Sequence, residues 1–387
     1  MTQVQWVAAQ GYFSESPHDL PTWVGVTNGQ VVAIEHSCPD GVDAEQDGYL
    51  LPLLADTHAH IYMNPWPLDP AQRSAPGGGA FDDEVTDALS RLDDALCHGV
   101  GFVRDMGDPF GINLAAKERS PIVLQVPGPA IHRPKKYGRY LGVSRETIAD
   151  VIDLIDKLAE DLRVDYIKLT ATGIVSFKDK SVKQAPQFMT EELAAAVCRA
   201  HDHGLKTAAH CSGDNGLDIV LDAGVDFIEH GYFIRPDQLK RAAEHGRYWT
   251  PTFAPVLSQY VNREVCGWDD DAANCIDEIL ADHRCSFASA EEIGTPVLAG
   301  TDGGSPGVPI GKALRDELAQ MEMAGALPER LLRLVSADAA DACQPNGYSG
   351  RIRLGDPADF AIYGARPWEA ISNLSTLSKV YREGEPC

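Results

Sequence analysis

Over the first fifty residues, apolar and polar positions alternate in short stretches. VQWVAAQGYF is one such run, and WVGVT and QVVAIEHS form a pair separated by Asn28-Gly29. Period-two alternation broken by Asn-Gly predicts short strands and a tight hairpin. Beyond Pro52 the texture changes. Apolar runs of four to seven residues alternate with longer stretches of helical periodicity. The runs are LLPLLADTHAH, GFVRDM, IVLQVPGP, VDYIKLT, KTAAHC, VDFIEHG, YWTPTF and PVLAGTD.

Between them lie DEVTDALSRLDDALCHG, SRETIADVIDLIDKLAEDL and TEELAAAVCRAHDHG. Ser144 and Thr190 stand where N-caps are expected, with acids in the following turn. Gly204 stands at a C-terminal stop. Eight buried runs recurring about every 35 residues, each followed by a helix, predict a parallel sheet closed into a (β/α)8 TIM barrel. An open doubly wound sheet is weaker, because no G-x-G-x-x-G follows the first strand. Gly77-Gly78-Gly79 reads as a loop, since no strand precedes it.

The tail returns to strand texture in DPADFAIYG and LSKVYREGEP. The expected organisation is a small β-sandwich domain built from both chain ends, residues 1–53 and 346–387. It flanks a barrel over residues 54–345. Asp269-Asp270-Asp271 reads as a helix start or a solvated loop.

Charge narrows the partners. Lys and Arg number 33 against 57 Asp and Glu, a net charge of −24. Such a field repels phosphate, which argues against nucleic acid and anionic lipid and for a small-molecule substrate. No run approaches the roughly 18 apolar residues of a membrane span. MTQVQWVAAQGYF lacks the basic and apolar regions of a secretory signal. The nine cysteines are odd in number and widely spaced, with no C-x-x-C. That disfavours a disulfide framework or a zinc knuckle and fits a reducing cytoplasm. A homo-oligomer is left open.

In a barrel, reactive residues sit at the C-terminal strand ends. Strand one ends in Asp56-Thr57-His58-Ala59-His60, and strand four carries Lys168. His210 ends strand five, His230 ends strand six and Asp302 ends strand eight. Neutral imidazole and carboxylate are first-choice ligands for zinc-like ions. Each residue alone is weak, since a single strand histidine is more often a hydrogen-bonded core residue. Their conjunction at five strand ends decides for a metal site.

The order H-x-H, Lys, His, His, Asp, in the contexts LLADTHAH, YIKLTATG, KTAAHCSG, VDFIEHG and LAGTDGG, resembles the amidohydrolase superfamily. GRIRLGDPADFAIYG is similar to its closing β segments. GFVRDMGDP, the IK-x-x-A-T-G strand and IEHG look most like the imidazolonepropionase-like and Xaa-Pro/Xaa-Arg dipeptidase branch. The resemblance implies two divalent ions, zinc being the first expectation. His58, His60 and Asp302 would hold one and His210 and His230 the other, with a carboxylated Lys168 bridging them. It further implies hydrolysis of a C–N amide-type bond in an amide, lactam or dipeptide. A metal-bridging hydroxide would attack, with Asp302 as general base and then acid. Two departures bear on the pocket: strand four reads ATGI, and Lys312 stands where relatives often carry His.

Around this centre, Tyr232 either aims its phenol at the developing oxyanion or packs as a loop aromatic, and His132 either meets the substrate or is a solvated loop histidine. Basic loops at Arg133, Lys135, Lys136 and Arg139, and at Lys178, Lys180 and Lys183, read either as solvated loops or as a rim that draws a carboxylate-bearing substrate. The alternative is a deaminase of an aminated ring. HCSGDNG lacks the Glu shuttle that such enzymes carry near the strand-five histidine, and they usually lack the strand-four Lys.

Overall fold

A computed structural model describes residues 4–43, 46–69, 72 and 78–387. Gly77 lies outside the described residues, and Gly78 and Gly79 carry no helix or strand. Seven of the eight expected apolar runs form parallel strands. Strand one is Leu54–Ala59, strand two Val100–Asp105 and strand three Val123–Gln125, continued at Ala130–His132. Strand four is Tyr166–Thr170, strand five Lys206–Cys211, strand six Phe227–His230 and strand seven Tyr248–Thr250. All but their outermost residues are buried, as continuous apolar runs require when both faces are covered.

The ladders are interrupted rather than one continuous ring. Strands one, two and three form one parallel sheet. Ala130–His132 and strands four to seven lie in a second, with Gly142–Ser144 at its edge. The break falls at Pro127-Gly128-Pro129, because proline has no N–H to give a ladder. The first half of strand three pairs with strand two and the second half with strand four.

The eighth strand differs from expectation. Residues 296–303 form no regular strand, only isolated parallel bridges, Trp249 to Val297 and Ala59 to Gly303. The segment is still pinned on both sides. Leu298 N–H donates to Trp249 O at 2.9 Å, and Thr57 N–H donates to Ala299 O at 3.1 Å. Pro296, Gly300 and Gly303 explain the irregularity. A Cβ on Gly300 would lie 2.5 Å from His58 Cβ, so only glycine lets this backbone approach the site.

Helices connect the strands and cover them. Ile148–Glu160 buries Val151, Leu154, Ile155 and Leu158, the i, i+3, i+4, i+7 stripe of an amphipathic helix. Its N-cap is Thr147, not Ser144. Thr147 Oγ1 accepts from Asp150 N–H at 3.2 Å, and the Asp150 carboxylate accepts from Thr147 N–H at 2.9 Å. This reciprocal pair satisfies two otherwise free amides, whereas Ser144 is held in the edge strand. Thr190 is the first helical residue after an N-cap at Met189, and Glu192 takes the Met189 N–H at 3.0 Å. Gly204 follows that helix with φ +71°. Asp269 caps Asp270–Ile293, so the acidic run is a helix start.

The chain ends build two further sheets. Gln5–Ala9, Thr22–Thr27 and Gln30–Glu35 pair antiparallel, with Asn28 and Gly29 at positive φ in the turn. Tyr49–Pro52, Phe360–Tyr363 and Leu377–Arg382 lie in a six-stranded sheet with Gly11–Phe13. Val24, Val26 and Val31 of the first share one apolar cluster with Leu50, Phe360 and Ile362 of the second. All nine cysteines are free. Among the described residues, no helix is long and apolar enough to cross a membrane.

Candidate metal centre

The strand ends converge on one cavity, lined by His58, His60, Lys168, His210, His230 and Asp302 among others. Asp302 Oδ1 lies 3.4 Å from His58 Nε2 and 3.3 Å from His60 Nε2. Ligand atoms of His58, His230 and Asp302 lie within 4.8 Å of one another. The His210 and His230 rings are 4.5 Å apart, and those of His58 and His230 4.7 Å.

Each imidazole has one nitrogen committed to an acceptor. His58 Nδ1 donates to Glu229 Oε2 at 2.7 Å, and His60 Nδ1 faces Gly107 O at 3.4 Å. Thr252 Oγ1 donates to Pro251 O at 2.7 Å, so it accepts from His230 Nδ1 at 2.7 Å. His210 Nε2 donates to Gly173 O at 3.3 Å. The remaining nitrogen of each ring is left for another partner. Second partners of this kind fix the tautomer of metal-binding histidines. The donor set therefore fits divalent ions.

Electrostatics agree. Burial and then Lys168 push His210 down to about 3, which keeps it neutral. Burial and its histidine neighbours hold His230 well below the usual range. Burial and Lys168 press His58 down too, but Glu229 and Asp302 outweigh them and raise it. Burial alone would raise Asp302, yet His58 and His60 hold it well below the carboxylate range.

Lys168 is 1% exposed, and burial lowers its amine to about 8. Its Nζ meets Met106 Sδ at 3.3 Å, and among the described residues no carboxylate pairs with it. A buried cation left this way is expensive, whereas its neutral amine is the form that combines with carbon dioxide.

Several supporting residues escaped the sequence reading. Glu229 is fully buried and held at about 2, because Lys168, His58 and Arg104 outweigh its burial. Arg104 lies between the rings of Tyr166 and Phe227, at 3.8 and 4.1 Å, with Nη1 3.5 Å from Glu229. Asp56 ties strand one to the eighth segment, accepting from Thr301 N–H at 2.9 Å and from Thr301 Oγ1 at 2.5 Å. The available signal was a carboxylate inside the apolar run VDFIEHG. Strict alternation would place Glu229 and His230 on opposite faces. The strand ends break that rule: His230, Thr252 and Asp302 have φ of +71°, +55° and +53°. Positive φ is uncommon outside glycine, and its clustering here marks a functional site.

The outer residues fall differently from expectation. His132 does not line the cavity, and its Nδ1 donates to Arg133 O at 2.9 Å. Tyr137 of the same loop lines it instead, its ring 4.9 Å from His210. Tyr232 lines the cavity, but its hydroxyl donates to Thr252 O at 2.9 Å. Lys178 pairs with Asp269 at 2.9 Å, Lys180 with Glu278 and Arg133 with Glu192. None of these three cations lines the cavity, nor do Lys135, Lys136, Arg139 or Lys183. Lys312 is exposed.

The family model described as "Amidohydrolase family" matches residues 49–386. The chain belongs to the amidohydrolase family. It is therefore a hydrolase acting on C–N bonds. This amidohydrolase is 28% identical over 334 residues to "Uncharacterized protein Rv2915c" of Mycobacterium tuberculosis, covering 84% of this chain and 82% of that one. Among solved structures it is similar to a Xaa-Pro dipeptidase with bound methionine, with TM-score 0.84 and 21% identity over the whole of both chains. It is similar also to a putative prolidase from Bifidobacterium longum, with TM-score 0.81 and 20% identity over 100% and 95% of the two chains. Ochratoxinase from A. niger gives TM-score 0.81 and 16% identity over 100% and 96%. These likenesses show a shared TIM-barrel fold.

Proposed function

We propose that this amidohydrolase cleaves an amide-type bond with Asp302 as general base and then general acid, in a centre that takes two divalent ions. The observation that carries this is the position of Asp302 Oδ1, 3.3–3.4 Å from the Nε2 atoms of both His60 and His58. His58, His60 and Asp302 would hold one ion, His210 and His230 the other, and a carboxylated Lys168 both. When bound, such ions lower the pKa of water and polarise a carbonyl, and histidine with carboxylate suits zinc first.

The protein's own part is orientation and proton transfer. Ser305 Oγ donates to Asp302 Oδ2 at 3.0 Å and fixes the carboxylate plane. Asp302 then takes a proton from the attacking water and returns it to the leaving nitrogen. Glu229, Gly107, Thr252 and Gly173 hold the four imidazoles in place.

The deaminase alternative needs a second carboxylate as proton shuttle. Among the described lining residues Asp302 is the one carboxylate, which favours the hydrolase. Nine free cysteines accord with the cytoplasm. The cluster shared by the terminal sheets supports a β-sandwich domain of residues 1–53 and 346–387 beside a barrel of residues 54–345.

Metal analysis of purified protein tests the reading. Two ions per chain, with amide hydrolysis lost on chelation and restored by zinc, is the expected result. Full activity after exhaustive chelation would overturn it.

A further inference from the structure

The cavity of about 270 Å³ sits just below the roughly 300–1,000 Å³ of typical ligand pockets, so the substrate is small. Its chemistry divides into two zones. The metal-ligand cluster and Lys168 hold every lining charge among the described residues. Away from them the wall is largely apolar, with Met63, Ile174, Val175, Phe177, Pro255 and Val256, and its polar residues are neutral. Ile174, Val175 and Phe177 come from the loop after strand four, where Val175–Ser176 and Ser181–Val182 form a short hairpin.

In this wall Gln259 is a neutral polar group with a fixed direction. Trp268 Nε1 donates to Gln259 Oε1 at 2.9 Å. Trp268 is held in turn by the edge of Phe177, at 5.5 Å and 80°. One lone pair of the Gln259 carbonyl is therefore taken, which orients the amide, and among the described residues its N–H groups have no hydrogen-bond partner and remain to donate. None of the basic loop residues Arg133, Lys135, Lys136, Arg139, Lys178, Lys180 and Lys183 lines the cavity. Lys178 and Lys180 pair with Asp269 and Glu278.

We propose that the substrate is a neutral amide with an apolar body, carrying away from the scissile bond a carbonyl-type acceptor that Gln259 recognises. This rests on the reading of the cavity as the hydrolytic site. It also replaces the carboxylate-bearing substrate that one reading of the basic loops allows. An apolar body gains from leaving water against this wall. A carboxylate there would lose its hydration with no cation to offset the loss. An acceptor facing the Gln259 donor is satisfied, and without one that donor stays unpaired on substrate binding.

Matched 4-nitroanilides differing only at the acyl end test this on the zinc-loaded enzyme. Butanoyl ends in a methyl group, succinyl in a carboxylate, and 4-oxopentanoyl in a neutral ketone. The butanoyl compound should exceed the succinyl one by about tenfold or more in kcat/KM, and added salt should not reverse the order. The ketone should be the best of the three, and Gln259→Leu should abolish its advantage over butanoyl.

A second measurement needs no turnover. Calorimetry on the metal-free protein should show binding of 4-phenylbutan-2-one, weakened several-fold, on the order of 3–10-fold, by Gln259→Leu. Succinyl turnover equal to or above butanoyl, or no ketone binding at millimolar concentration, would overturn the inference. Ketone binding without hydrolysis of any anilide would count against the proposed amide cleavage and leave the inference on cavity chemistry standing.

Discussion

Glu229 Oε2 lies 2.7 Å from His58 Nδ1, so one buried carboxylate sets the tautomer of the first histidine of the H-x-H pair. Lys168 and His58, and after them Arg104 held between Tyr166 and Phe227, outweigh burial and keep Glu229 ionised. Glu229 is thus a positioning residue. Glu229→Gln should lower metal affinity by about 10–100-fold, the usual cost of losing such a partner. Competition with a chromogenic chelator measures this directly. Unchanged affinity in a folded variant would show that His58 needs no orientation.

Asp302 is assigned two roles, ligand and proton carrier. Asp302→Asn should cut kcat by about 10²–10⁴-fold. Metal content is measured in the same sample, because the amide is also a poorer ligand. Near-normal turnover with full metal occupancy would mean another base.

Lys168 should be carboxylated in the metal-loaded protein. ¹³C NMR after incubation with labelled bicarbonate should show a carbamate signal that is absent from Lys168→Ala. The variant should lose metal and activity, and acetate or propionate should restore part of both. The neutral amine is the reactive form, and the folded amine sits near 8. Loading from the metal-free protein should therefore speed up as pH rises towards about 8 and level off above it. An unmodified ammonium beside two bound ions would refute the assignment.

Glu317 gives a pH signature separate from catalysis. Burial pushes its carboxyl up to about 8, although Phe253 and Ala254 amides oppose the shift. Its Oε2 accepts from Ala254 N–H at 2.8 Å, and its Oε1 is buried with no partner among the described residues. In acid the group is protonated in both folded and unfolded chains. Above the ordinary carboxylate range the unfolded chain releases the proton, while the folded chain keeps it until about pH 8. Stability is therefore lost as pH rises through that window. Glu317→Gln should gain in Tm over the parent between about pH 5 and pH 8, and the gain should then plateau. A constant Tm difference across that range would show that Glu317 ionises normally.

Much of this was legible in the chain itself. Seven of the eight strands, the Asn28-Gly29 hairpin, the Gly204 stop and the Asp269 cap follow from local periodicity and turn chemistry. So does the meeting of His58, His60, Lys168, His210, His230 and Asp302 in one cavity, because a barrel gathers its strand ends by construction. The eighth strand was not legible, since Gly300 is required by a contact with His58, some 240 residues away in sequence, and not by anything local. Glu229 was hidden because the positive φ of His230 breaks the alternation from which faces are read. The basic loops left two readings open for a related reason. Sequence shows that Lys178 and Lys180 are cations, but only the fold brings Asp269 and Glu278 to them. Local pattern determined the elements and the ligand types. Tertiary packing decided which nitrogen of each histidine is free, which charges are already spent, and that the wall facing the substrate is largely apolar.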